Sequence, residues 1–84
     1  MFFVYILKSK NTGRFYIGFS ESPTRRLAEH NSGKVKSTKS FRPWIKVYSE
    51  KFETKIQAVR RERELKAKKS RTFIQQLIGS HSPD

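Results

Sequence analysis

Apolar residues collect in three extended runs and along two helix-like stripes, separated by polar stretches rich in turn residues. Phe2-Phe3-Val4-Tyr5-Ile6-Leu7 is aromatic, β-branched and continuously apolar, which predicts a short strand buried on both faces. The stretch from Ser9 to Arg14 carries Asn, Thr and Gly. Phe15 to Phe19 then resumes the strand pattern, so the two runs form a hairpin. With an even loop, odd positions of one strand pair with even positions of the other, and Tyr5 and Tyr16 share one face.

Ser22-Pro23 supplies an N-cap and a proline suited to the first helical turn, and Asn31-Ser32-Gly33 supplies a stop, so a short helix is expected over Thr24 to His30. Gly33 to Ser40 has no apolar period and reads as a basic loop, and Trp44 to Phe52 forms a third strand. Thr54 and Gln57 fit a capping box that opens a helix running to about Lys68. Ser70 caps a last helix that ends before Gly79 and carries Phe73, Ile74, Leu77 and Ile78 on one apolar face. The expected organisation is one domain over 1–79 and a frayed tail over 80–84.

Composition narrows the fold. The 84 residues are 35% apolar, so the core must be thin, enough for one sheet covered by helices and too small for a Rossmann or TIM architecture. The chain has no cysteine, which excludes disulfides, zinc ribbons and thiol nucleophiles. Phe2 to Leu7 is far shorter than the roughly 20 residues of a membrane span, so a soluble, cytoplasmic protein is expected.

Charge adds a partner. With 19 Lys and Arg against 7 Asp and Glu, the net charge is +12. Basic residues gather at Lys34, Lys36, Lys39, Arg42 and Lys46, and again from Arg60 through Arg61, Arg63 and Lys66 to Arg71. Phe41 and Trp44 lie within the first group, and a basic surface with interspersed aromatics suits phosphate backbones and stacked bases. A charge run that merely solvates the surface is the bland alternative. The only Asp is Asp84, which argues against a clustered-carboxylate two-metal site.

One position breaks the local pattern. On the long helix, Ala58, Val59, Leu65 and the stem of Lys66 make the least polar stripe, and Glu62 falls in its middle. A carboxylate there needs a cationic partner, a metal or a wet cleft. Arg26 and His30 lie one turn apart on the short helix, and either a solvated face or an active site accounts for them. Tyr5 and Tyr16 can equally be a cross-strand pair that stabilises the hairpin.

Taken together, Val4-Tyr5-Ile6 followed by Tyr16-Ile17-Gly18 resembles the two signature strands of the GIY-YIG endonuclease superfamily. Arg26-Leu27 through His30-Asn31, and Arg61-Glu62 with Leu65-Lys66, are similar to two helices of that family in order and spacing. The likeness covers about residues 2 to 78 and is greatest to small stand-alone bacterial members related to the nuclease domain of the excision-repair incision protein. It implies a three-stranded antiparallel sheet flanked by about three helices, an α+β fold, and metal-dependent hydrolysis of a nucleic-acid phosphodiester, with DNA as the substrate.

By the same resemblance, Tyr5 and Tyr16 flank the attacking water, Arg26 holds the scissile phosphate, His30 assists proton movement, and Glu62 ligates one divalent cation, magnesium or manganese. Lys34, Lys36, Lys39, Arg42, Arg61 and Lys66 are the expected nucleic-acid contacts. Phe19 stands where some members carry a lysine, and residues 73–78 lack the late asparagine of others. The rival readings are a noncatalytic nucleic-acid-binding module of the same fold and a structural protein whose basic face docks an acidic partner. A catalytic reading requires the five site residues to converge on one cleft.

Overall fold

A computed structural model describes residues 1–68 and 70–80 of the chain. The elements run β1 (Phe2–Ser9), β2 (Phe15–Ser20), α1 (Pro23–Ser32), a single 3-10 turn (Lys39–Phe41), β3 (Trp44–Phe52), α2 (Lys55–Lys68) and α3 (Arg71–Gly79). The three strands form one antiparallel sheet in the order β2-β1-β3, and the fold is α+β. The central strand explains its own composition: Val4, Tyr5, Ile6 and Leu7 are all buried because helices cover both faces of the sheet. Val4 and Ile6 pack with Ala58, Leu65 and Ile74 of α2 and α3, whereas Tyr5 and Leu7 pack with Leu27 of α1, Phe41 and Trp44.

The register pairs Leu7 with Tyr16 and Tyr5 with Gly18, so odd positions of β1 do face even positions of β2. In β3 the alternation is interrupted. Ile6 pairs with Tyr48 but Leu7 pairs with Lys46, leaving Val47 as an extra residue. That bulge reverses the faces along β3, sending Trp44 to the α1 side and Tyr48 to the α2 side although both are even-numbered.

The caps follow the sequence closely. The Ser22 hydroxyl accepts from the Arg25 N–H, Gly33 ends α1 at φ 85°, and Thr54 and Gln57 exchange reciprocal side-chain bonds to each other's backbone N–H. α1 is longer than the expected Thr24–His30 span because its last turn continues to the Gly33 cap, and α3 includes Gly79. The basic loop keeps its lysines exposed but folds back on α1. Its Thr38 is 3% exposed, and the 3-10 turn that follows places Phe41 against the sheet. Beyond Ser80 the expected frayed tail lies outside the described residues. Among the described residues, no helix is long and apolar enough to cross a membrane.

Candidate active site

Tyr5 lies across the sheet toward β2 because its cross-strand partner is Gly18, which has no side chain to block it. A Cβ at Gly18 would stand 2.8 Å from the Tyr5 hydroxyl oxygen and 3.1 Å from Cε1 of Tyr16. The two tyrosine rings are 6.3 Å apart, centre to centre. His30 comes down from α1 with its ring 4.6 Å from that of Tyr16 and 6.5 Å from that of Tyr5. Arg26, one turn earlier, lies against the Tyr5 hydroxyl and also pairs with Glu29. Burial raises the Tyr5 hydroxyl above the usual tyrosine range despite the opposing pull of Arg26, so at neutral pH Tyr5 is a protonated donor.

His30 is fully buried, and its tautomer follows from its neighbours. The Thr38 hydroxyl donates to the Val35 carbonyl at 3.3 Å, so its oxygen is free to accept from His30 Nδ1–H at 2.8 Å. Trp44 Nε1–H in turn donates to the Thr38 carbonyl at 3.0 Å. With the proton on Nδ1, Nε2 carries the lone pair, and it is buried with no hydrogen-bond partner among the described residues. Burial, then the nearby Arg26 charge, push the His30 pKa below its ordinary value, with Glu29 opposing. His30 is therefore a neutral acceptor at physiological pH.

Thr38 was not foreseen from the sequence, where it lies in a run of Lys and Ser without period. Thr38→Val keeps its shape and removes the acceptor, and it should redistribute the His30 proton between the two ring nitrogens. Imidazole 15N NMR reads that change directly, and an unchanged tautomer would show that Thr38 does not set it. The orphaned Nδ1–H should also cost about 1–3 kcal/mol of stability.

Glu62 enters from the other side. α2 packs on the face opposite α1, so the expected single cleft is divided: Tyr5, Tyr16, Arg26 and His30 gather on the α1 side, and Glu62 comes from the α2 side. At the outer edge of β2, Tyr16 lines a cleft with Leu65 and Lys66 of α2, and the Glu62 charge acts on the Tyr5 hydroxyl. The Glu62 side chain is 15% exposed and pairs with Lys66 Nζ at 3.6 Å, which itself is 53% exposed. That is a loose, solvent-side partner.

The basic residues divide. Lys34, Lys36, Lys39, Arg42 and Lys66 are exposed. Arg61 is held between β3 and α2, bonding Glu50 at 3.0–3.1 Å and pairing with Glu64, and Glu50 raises its pKa further. Trp44 does not offer a stacking face for a base, as the sequence suggested: it is 4% exposed, because the β3 bulge turns it into the core beside Tyr5 and Leu7. Asn31 belongs to the scaffold. Its amide pairs with both the N–H and the C=O of Trp44, tying α1 to the start of β3.

A cation at this edge would have one protein carboxylate. Among the described residues no group of three or more His, Cys, Asp or Glu side chains comes together. That donor set suits magnesium or manganese, which retain water and take phosphate oxygens, and does not suit zinc.

Residues 1–75 match the family model described as the GIY-YIG catalytic domain. A UPF0213 protein of Staphylococcus haemolyticus is 45% identical over 65 residues, covering 76% of this chain and 78% of that protein. One from Staphylococcus saprophyticus is 42% identical over the same shares. The solution NMR structure of a UPF0213 protein from Bacillus halodurans superposes with a TM-score of 0.58 at 37% identity, over 94% of this chain and 84% of that one.

Proposed function

Because the chain belongs to the GIY-YIG catalytic-domain family, we propose that it is an endonuclease that hydrolyses phosphodiester bonds of DNA with one divalent cation. The observation that carries this reading is the cluster of two tyrosines, an arginine and a buried histidine on the α1 side of the sheet, with a partly buried carboxylate on α2 whose charge reaches the Tyr5 hydroxyl. Mere binding needs positive charge and has no use for an inward carboxylate.

Each residue has a role its surroundings suit. Arg26, already oriented by Glu29, holds an oxygen of the scissile phosphate and offsets charge growing on it. The protonated Tyr5 donates to the reacting group, and Tyr16 positions the attacking water. Tyrosine alone is a weak base, with an ordinary pKa near 10, so Tyr16 passes a proton to the sealed Nε2 of His30 beside it. Glu62, with water and phosphate oxygens, would hold magnesium or manganese. When bound, that cation supplies Lewis-acid stabilisation of the phosphate and of the attacking oxygen.

Cleavage should rise with pH as His30 loses its proton, with the midpoint of the rise below pH ~6.5, the ordinary histidine value, because burial and Arg26 lower its pKa. A pH–rate profile checks this, and an acid limb centred above that value would remove His30 as the acceptor. The proposal as a whole is tested by incubating the purified protein with single-stranded, duplex and branched DNA and with RNA, in magnesium or manganese. New DNA ends are expected. Nucleic acid that is bound but never cut would favour the noncatalytic module.

A further inference from the structure

Two clefts flank the outer edge of β2, and Phe15 and Tyr16 line both. One, of about 400 Å³, lies on the α2–α3 side between Ile17, Leu65 and Ile74, with Lys66 and Arg71 beside them. The other, of about 270 Å³, lies on the α1 side and includes Arg14, Thr38 and Phe41. Neither is lined by an acidic residue.

Each cleft has an exposed guanidinium fixed on an aromatic ring. Arg14 Cζ sits 4.6 Å from the centre of Phe41, and Arg71 Cζ sits 4.9 Å from the centre of Phe15. Arg71 Nη1 also donates to the Gly13 carbonyl at 3.0 Å. Among the described residues neither arginine has a carboxylate partner, in contrast to Arg26 and Arg61. A guanidinium has five N–H donors, so stacking and one carbonyl bond leave most of the fork free. Its orientation is set before any ligand arrives, which lowers the entropy lost on binding.

We propose that Arg14 and Arg71 are phosphate anchors that hold a nucleic-acid strand on either side of the bond cleaved at Tyr16. The inference rests on the nuclease reading and extends it to the path of the substrate. A strand laid across the β2 edge with its reacting phosphate at Tyr16 enters by one cleft and leaves by the other. Its flanking phosphates then meet Arg14 on the α1 side and Arg71 on the α2–α3 side, beside the exposed Lys66.

The test compares equal charge changes at different places. Binding of a fluorescent DNA oligonucleotide to the full chain is measured across a salt series with chelator present, so that the DNA stays uncut. Arg14→Gln and Arg71→Gln should each lower the slope of log affinity against log salt by about 0.7–0.9, the value for one lost phosphate contact. Arg60→Gln should change it much less, because Arg60 is exposed two residues from both Ala58 and Glu62, on the outer side of α2. Since Arg71 also ties α3 to the hairpin, Arg71→Lys is measured beside it: the retained charge should restore most of the slope. Equal effects at Arg14, Arg71 and Arg60, or a folded Arg71→Lys that restores nothing, would overturn the anchor assignment alone. A wild-type protein that binds no DNA would overturn the nuclease reading with it.

Discussion

Glu62→Gln should reduce DNA cleavage about a thousandfold while the protein stays folded and binds DNA as well as before or slightly better. The substitution keeps the side-chain shape and removes the charge that a divalent cation requires. Lewis-acid stabilisation of a reacting phosphate is worth several kcal/mol, and about 4 kcal/mol corresponds to that factor. Affinity depends instead on the distributed basic surface of a chain with net charge +12. Stability should hardly change, because the partner lost is Lys66, which is 53% exposed and 3.6 Å away. Such pairs contribute about 0–1 kcal/mol. Single-turnover cleavage, DNA binding and thermal melting on the same preparation separate these terms. Glu64→Gln, which alters an exposed partner of Arg61, is the matched control. A Glu62→Gln protein that is folded and cleaves at the wild-type rate would remove Glu62 from the mechanism.

Gly18→Ala should be the second most damaging change, and for a reason of space alone. Positive φ occurs at Gly13 and Gly33, and Gly18 has an ordinary backbone. Yet the new methyl group would stand 2.8 Å from the Tyr5 hydroxyl oxygen, closer than atoms can pack, and 3.1 Å from the Tyr16 ring, a tight contact. Tyr5 is 1% exposed and cannot swing into solvent, so its hydroxyl must shift within the core against Tyr16. Overpacking of this kind costs about 1–3 kcal/mol, and misplacing reacting groups by roughly an ångström costs about a hundredfold in rate. DNA affinity should be unaffected. Gly79→Ala, where nothing lies within 4 Å of the added methyl, should leave cleavage unchanged. If Gly18→Ala cleaves like wild type, the placement of the two tyrosines does not limit the reaction.

Much of this arrangement is legible in the sequence because it depends on local periodicity. The parity of the hairpin puts Tyr5 and Tyr16 on one face, and cap residues set the limits of α1 and α2 to within a few positions. The misplacement of Glu62 on an apolar stripe is visible from helical spacing alone. What spacing does not carry is how elements lie against one another. The one-residue bulge at Val47 reverses the pattern of β3 and hides Trp44, and nothing in the run from Trp44 to Phe52 marks it. The side of the sheet taken by α2 decides that Glu62 comes from the face opposite Tyr5 and Tyr16, and that depends on tertiary packing. The partners of Thr38 and Arg61 are hidden for the same reason: each is held by a residue distant in sequence, His30 or Glu50.

The central claim is that a single carboxylate holds a single cation for cleavage, and the rate of single-turnover DNA cleavage as a function of magnesium concentration tests it most directly. The account predicts no cleavage in chelator, full recovery when magnesium is restored, and a first-order rise in rate with magnesium at the low end of the titration. A rate that persists in chelator, or one that rises with the square of the magnesium concentration, would contradict it.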